Sequence, residues 1–129
     1  MTTIEKVTRK LAAYSAIQWT SDAHSIRVET PKSGGFSVWL KVNDPGFTVG
    51  FDGWHEEFDT EEEALNCFAF GLSDRCRLKV VRRGNFDCSW TVESKSNGEW
   101  TEDSTVGLFL VPFWRRKRVE HRQNSLLQV

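Results

Sequence analysis

The chain has 129 residues, of which 39% are hydrophobic and 27% charged, with a formal net charge of −1. That length suits one domain, and a chain of this size removes roughly two-thirds of its unfolded surface from water. The composition excludes a disordered chain, and the balanced charge excludes a uniformly basic nucleic-acid binder and an acidic solvating tail.

The first eighteen residues carry a helical pattern. Ile4, Val7, Leu11, Tyr14 and Ile17 recur at three- and four-residue steps on one stripe, while Lys6, Arg9 and Lys10 take the wet face. Thr2 and Glu5 have the spacing of a capping box. Beyond Thr20-Ser21-Asp22 the period falls to two. Ile26, Val28 and Thr30 alternate with Arg27 and Glu29 in a strand that Pro31 stops, and Lys32-Ser33-Gly34-Gly35 reads as a loop. Phe36, Val38, Leu40 and Val42 form the next alternating run. Asn43-Asp44-Pro45-Gly46 is a turn, and Phe47, Val49 and Phe51 begin a third strand that runs on, or bends at Gly53, through Trp54 to Phe58.

Thr60-Glu61-Glu62-Glu63 opens a second helix, with Thr60 as cap, Glu63 bonding back to it, and acids at the positive end of the helix dipole. Ala64, Leu65, Phe68 and Leu72 are its apolar stripe, and Ser73-Asp74 its exit. Cys76, Leu78 and Val80 then alternate with polar residues, as do Phe86, Cys88, Trp90 and Val92. Burial of one face selects a three-residue loop, Arg83 to Asn85, pairing Val80 with Cys88 and Leu78 with Trp90, because a one-residue slip inverts every side chain. Asn97-Gly98 turns the chain into a final strand over 105–113.

These elements predict an α+β domain spanning 1–129: two helices on one face of a bent antiparallel sheet of about six strands. Thr48-Val49-Gly50-Phe51 recurs as Thr105-Val106-Gly107-Leu108, a shift of 57 residues, which suggests a duplicated α-β-β-β unit over 1–58 and 59–114 with a basic C-terminal tail from 115.

Residues with chemical potential are sparse. The three cysteines, Cys67, Cys76 and Cys88, lack metal-ligand spacing and read as small buried apolar residues. No metal or cofactor is expected, and no catalytic motif is present. His55 with Glu57 is the one acid–base pair that an enzyme or a small-ligand pocket would use. The seven acids from Asp52 to Glu63 read as a solvated face and a helix start.

Two surfaces stand out. In a strand over 105–113, Val106, Leu108 and Leu110 point one way and Phe109, Val111 and Phe113 the other, so both faces need cover. Trp39, Trp54 and Trp100 are expected to face away from the core beside Phe109, Val111 and Phe113, forming an aromatic sheet face through which a homodimer would assemble, unless Leu126-Leu127 folds over it. Arg115, Arg116, Lys117 and Arg118, with the group Arg75, Arg77, Lys79, Arg82 and Arg83, hold nine of the seventeen Lys and Arg residues; converging, they would bind phosphates or an anionic surface, with Trp114 stacking on a base if the partner is nucleic acid. The primary expectation is a small non-catalytic binding protein that self-associates. The N-terminus has no apolar signal core, and the longest apolar run, from Gly107 to Trp114, is too short to span a membrane, so a cytoplasmic location is expected.

Overall fold

The computed structural model describes residues 1–29 and 34–127. The expectations for Thr30, Pro31, Lys32 and Ser33 lie outside the described residues. The architecture is α+β with antiparallel sheets, in chain order α1 (Thr3–Leu11), β1 (Trp19–Ser21), β2 (Ser25–Val28), β3 (Val38–Val42), β4 (Phe47–Phe51), β5 (Trp54–Phe58), α2 (Glu61–Leu72), β6 (Cys76–Arg83), β7 (Phe86–Ser96), β8 (Glu99–Gly107) and β9 (Lys117–Arg122). The strands form two sheets, a five-stranded meander β1-β2-β3-β4-β5 and a four-stranded sheet in the order β8-β7-β6-β9, rather than one sheet of about six strands. The extra strands come from β1, from a break at Asp52-Gly53 that turns the third run into a hairpin, and from β9.

The proposed duplication finds no support in this arrangement. Five strands follow α1 and four follow α2, and the 57-residue shift lays the inner strand β4 onto the frayed end of β8. Within the basic segment expected as a tail from 115, Lys117–Arg122 form a strand that pairs with Leu78–Arg83 of β6.

Both helices start where their caps require. The Glu5 N–H donates to Thr2 Oγ1 and the Glu63 N–H to Thr60 Oγ1, each at 3.2 Å. The first helix ends at Leu11, not near residue 18. Beyond it the chain closes in tight turns, with Tyr14 N–H to the Leu11 carbonyl (2.9 Å) and Ile17 N–H to the Tyr14 carbonyl (3.1 Å), so Ile17 reaches the core from a turn while Tyr14 stays exposed. α2 packs across β3, β4 and β5. Its closest approach is at Gly71, where an added Cβ would lie 2.2 Å from the buried Phe51 ring.

The β6–β7 hairpin keeps its buried face by a different device from the three-residue loop. Arg83 pairs with Phe86 across a two-residue Gly84-Asn85 turn, and a bulge at Val81/Arg82 then shifts the register so that Val80 meets Trp90 and Leu78 meets Val92. The bulge absorbs one residue, so the tight turn and the apolar face coexist. One core cluster collects side chains of both helices and both sheets, with Phe51 stacked on Trp54 (ring centroids 4.7 Å) near its centre.

The expected strand over 105–113 exists only to Gly107. There β8 pairs with Ser89, and Leu108 donates its N–H to the Cys88 carbonyl at 2.8 Å. β7 runs only three residues past Ser89, to Phe86, so a β8 continued in this register would have no partner from Val111 onward. Since β8 and β9 are opposite edges of the sheet, residues 108–116 cross its end, past the β6–β7 hairpin, to begin β9. At ~4.8 Å per strand this crossing spans roughly 14 Å, easily reached by a loop of that length.

Candidate functional site

The crossing loop carries the largest exposed apolar surface of the described residues. Leu108 is 52% exposed, Phe109 98%, Leu110 83%, Phe113 76% and Trp114 72%. Phe86, at the neighbouring hairpin, is also exposed, while Val111 and Pro112 are half-buried. Phe113 and Trp114 meet edge to face, with ring centroids 5.4 Å apart. Such side chains are each worth ~1.5–3 kcal/mol when removed from water. The two-sided strand that needed cover on both faces is therefore replaced by a projecting loop in which Phe109, Leu110, Phe113 and Trp114 stand uncovered.

Hydrogen bonds fix the base of the loop. Arg83 Nη1 donates to the carbonyls of Phe113 (3.3 Å) and Arg115 (3.4 Å), Arg118 Nη2 donates to the Gly84 carbonyl (3.3 Å), and the Gly84 N–H donates to the Arg116 carbonyl (3.2 Å). The Arg115 side chain lies over Gly84, where a Cβ would come within 2.6 Å of its Cδ. The loop is thus anchored to the hairpin by backbone carbonyls, and its charges stay outward.

The two basic groups converge, because β9 pairs with β6 and sets Lys117 opposite Arg83 and Arg118 opposite Arg82. They differ in what compensates them. Arg77 pairs with Glu93 (2.8 Å), Lys79 with Glu102 (3.5 Å), and Arg82 with Asp87 (2.8 Å) and Glu120 (3.3 Å). Arg82 Nε is too poorly aligned with Asp87 to count as a hydrogen bond, so that contact is one of charge alone. Among the described residues, Arg83, Arg115, Arg116, Lys117 and Arg118 form no ion pair with a carboxylate. Residues 104–119 contain no Asp or Glu at all. Compensated cations therefore run along the strands, and uncompensated ones gather beside the apolar tip.

The other candidates are scattered. Trp54 is 3% exposed and donates its indole N–H to Ser104 Oγ at 2.9 Å, so it belongs to the core and links the two sheets. Trp39 is half-buried over Gly50, with its indole N–H 3.4 Å from the Asp52 carbonyl. Trp100 lies under the Arg77 guanidinium, 4.4 Å from its ring centroid. These tryptophans do not share a face with Phe109 and Phe113. Leu126 and Leu127 do not cover the loop either; their N–H groups donate to the Leu72 carbonyl (2.8 and 3.0 Å), closing the end of α2.

His55 and Glu57 are exposed on β5 and line neither main cavity. The larger, about 600 Å³, is an apolar crevice between the helices floored by Val7, Leu11, Phe68 and Leu72, with Lys6 and Lys10 at its rim and no His, Cys, Asp or Glu in its wall. All three cysteines are free; burial, with a contribution from Glu56, pushes the Cys67 thiol up to about 12, and burial raises Cys76 as well, so neither is a ready nucleophile. Among the described residues no cluster of His, Cys, Asp or Glu could hold a metal ion, and no helix is long and apolar enough to cross a membrane.

Residues that sequence reasoning missed include Asn124, 1% exposed, which donates to the Gly71 carbonyl (3.0 Å) and accepts from the Phe36 N–H (2.9 Å). No local pattern signals such a clamp, because both partners are distant in the chain. Comparison with known proteins returned no match to a family model, a curated protein or a solved structure.

Proposed function

We propose that the protein is a small non-catalytic binding module whose contact element is the loop 108–118. The observation that carries this reading is the near-complete exposure of Phe109 and Leu110 on a loop whose base is held by hydrogen bonds. Monomeric soluble proteins rarely leave contiguous apolar surface of this kind in water without a partner for it. The exposure of His55 and Glu57, and the inert wall of the interhelical crevice, support binding rather than catalysis. The free thiols fit a reducing compartment, and we place the protein in the cytoplasm. A homodimer remains a second reading, formed through this loop and not through a sheet face, since Trp54 and Val111 are not available on one common surface with Phe109.

A binding loop is dispensable to the fold. The triple variant Phe109→Ser, Leu110→Ser, Phe113→Ser is expected to keep the circular dichroism of the parent and a Tm within about 2 °C of it, since exposed side chains add little to stability. A Tm lower by roughly 8 °C or more would show that these residues pack within the fold, and the reading would be wrong.

A further inference from the structure

We infer that the partner of this loop is an anionic lipid bilayer surface, into which the tip inserts while the cations beside it contact headgroups. The inference rests on the reading of 108–118 as the contact element and names what it contacts.

Three observations favour a bilayer. The tip side chains Phe109 and Leu110 are followed by Phe113 and Trp114 and then by Arg115, Arg116 and Lys117, all exposed. That order, from apolar to aromatic to cationic, matches the gradient from acyl chains through the interface to anionic headgroups. Secondly, the loop stands at one end of the four-stranded sheet, and Arg83 and Arg118 approach from the same end through β6 and β9. Tip and cations therefore can meet one plane together. Thirdly, these are the cations that no carboxylate compensates, whereas those further along β6 are paired. An anionic surface supplies the missing counter-charge.

Other occupants fit less well. Two copies meeting tip to tip would bring two sets of uncompensated cations together in a poorly hydrated contact. A nucleic acid would use the cations and the Trp114 ring as a stacking platform, but Phe109 and Leu110 at the tip, with Leu108, are more apolar surface than its backbone or bases would cover.

The test uses the 129-residue chain and sedimentation with vesicles of phosphatidylcholine alone or with about 30% phosphatidylserine. Retention on the anionic vesicles and not on the neutral ones is expected, with a blue shift in emission that Trp114→Phe removes. Each of Arg115→Gln and Arg116→Gln should weaken retention roughly fivefold at low salt, and Phe109→Ser with Phe113→Ser should weaken it by at least about a hundredfold. Absence of retention on either vesicle overturns the inference, and so does equal retention on both or retention that ignores the tip substitutions. If the triple serine variant is as stable as the parent while vesicles are not bound, the loop remains a contact element and only its partner has been misassigned. A dimer that the tip substitutions dissociate, in protein without vesicle affinity, assigns the loop to a second copy. Filter retention of an RNA oligonucleotide in the absence of vesicle binding assigns the cations to nucleic acid. Either result overturns the bilayer.

Discussion

The Asp52 carboxylate and the Arg122 guanidinium, 70 residues apart, meet at 2.8 Å and join the turn of the first sheet to the last strand of the second. Asp52 holds a positive φ of 50°, and its other oxygen accepts the N–H and hydroxyl of Ser37 (2.9 and 3.0 Å). Arg122 also reaches Asp87 through both terminal nitrogens (3.1 and 3.3 Å). Burial opposes the charge on Arg122, but Asp87, Asp52 and Glu120 outweigh it and hold the proton more firmly than usual.

Removing Arg122 should therefore strand Asp52, whereas Asp87 keeps Arg82 as a partner. Arg122→Ala is expected to cost ~3 kcal/mol in urea unfolding. Asp52→Asn tolerates the left-handed backbone and keeps an acceptor for Ser37. Combined with Arg122→Ala it should recover part of the loss, giving a coupling of about 1–3 kcal/mol. Strict additivity of the two substitutions would mean that the contact is incidental.

Two close approaches by glycine should respond differently to alanine. At Gly71 the obstacle is Phe51, fully buried between α2 and the sheet, so Gly71→Ala is expected to cost ~2–3 kcal/mol. At Gly50 the obstacle is the half-buried Trp39 indole, where an added Cβ would lie within 2.0 Å of the ring. That ring can swing into water, so Gly50→Ala should cost only about 1 kcal/mol and red-shift the tryptophan emission. Equal stability of Gly71→Ala and the parent would show the helix to be less tightly seated than its geometry implies.

A pH-dependent contribution is expected from Glu61. The Lys6 ammonium (2.7 Å) and then the Thr3 hydroxyl (2.6 Å) hold its carboxyl below the usual glutamate range. A depressed pKa stabilises the fold above the unfolded value and is lost as pH falls through the folded one. Both partners are partly exposed, so Glu61→Gln should cost no more than ~1 kcal/mol near pH 7. Chemical denaturation across pH should show the difference from the parent closing below about pH 4. A difference that persists unchanged into acid would assign the effect to packing instead.

Much of the fold is legible locally. Thr2 and Thr60 announce both helix starts, the alternation in β6 and β7 marks their buried faces, and Asn97-Gly98 marks their turn into β8 with positive φ at both residues (52° and 81°). Pairing was less legible. The bulge at Val81/Arg82 changes the register without any turn residue to signal it, and β1 is too short, at three residues, to show a period. Of the candidate residues, Phe109, Phe113 and Arg115 to Arg118 lie in one segment, while Trp39, Trp54 and Trp100 lie elsewhere, because their places depend on strand pairing that no local pattern shows.

Composition and periodicity by themselves determine that this chain makes an antiparallel α+β core, because burying one face of a strand or helix demands a particular spacing of apolar residues. They also place the most apolar segment directly before the most basic one. Whether that segment is a strand was decided by the tertiary structure alone. A strand needs a neighbour to satisfy its backbone, and the neighbour of β8 begins at Phe86. The ladder could extend at most three residues past Gly107; the chain leaves the sheet there, and Phe109, Leu110, Phe113 and Trp114, which local pattern would bury, are held out in water instead.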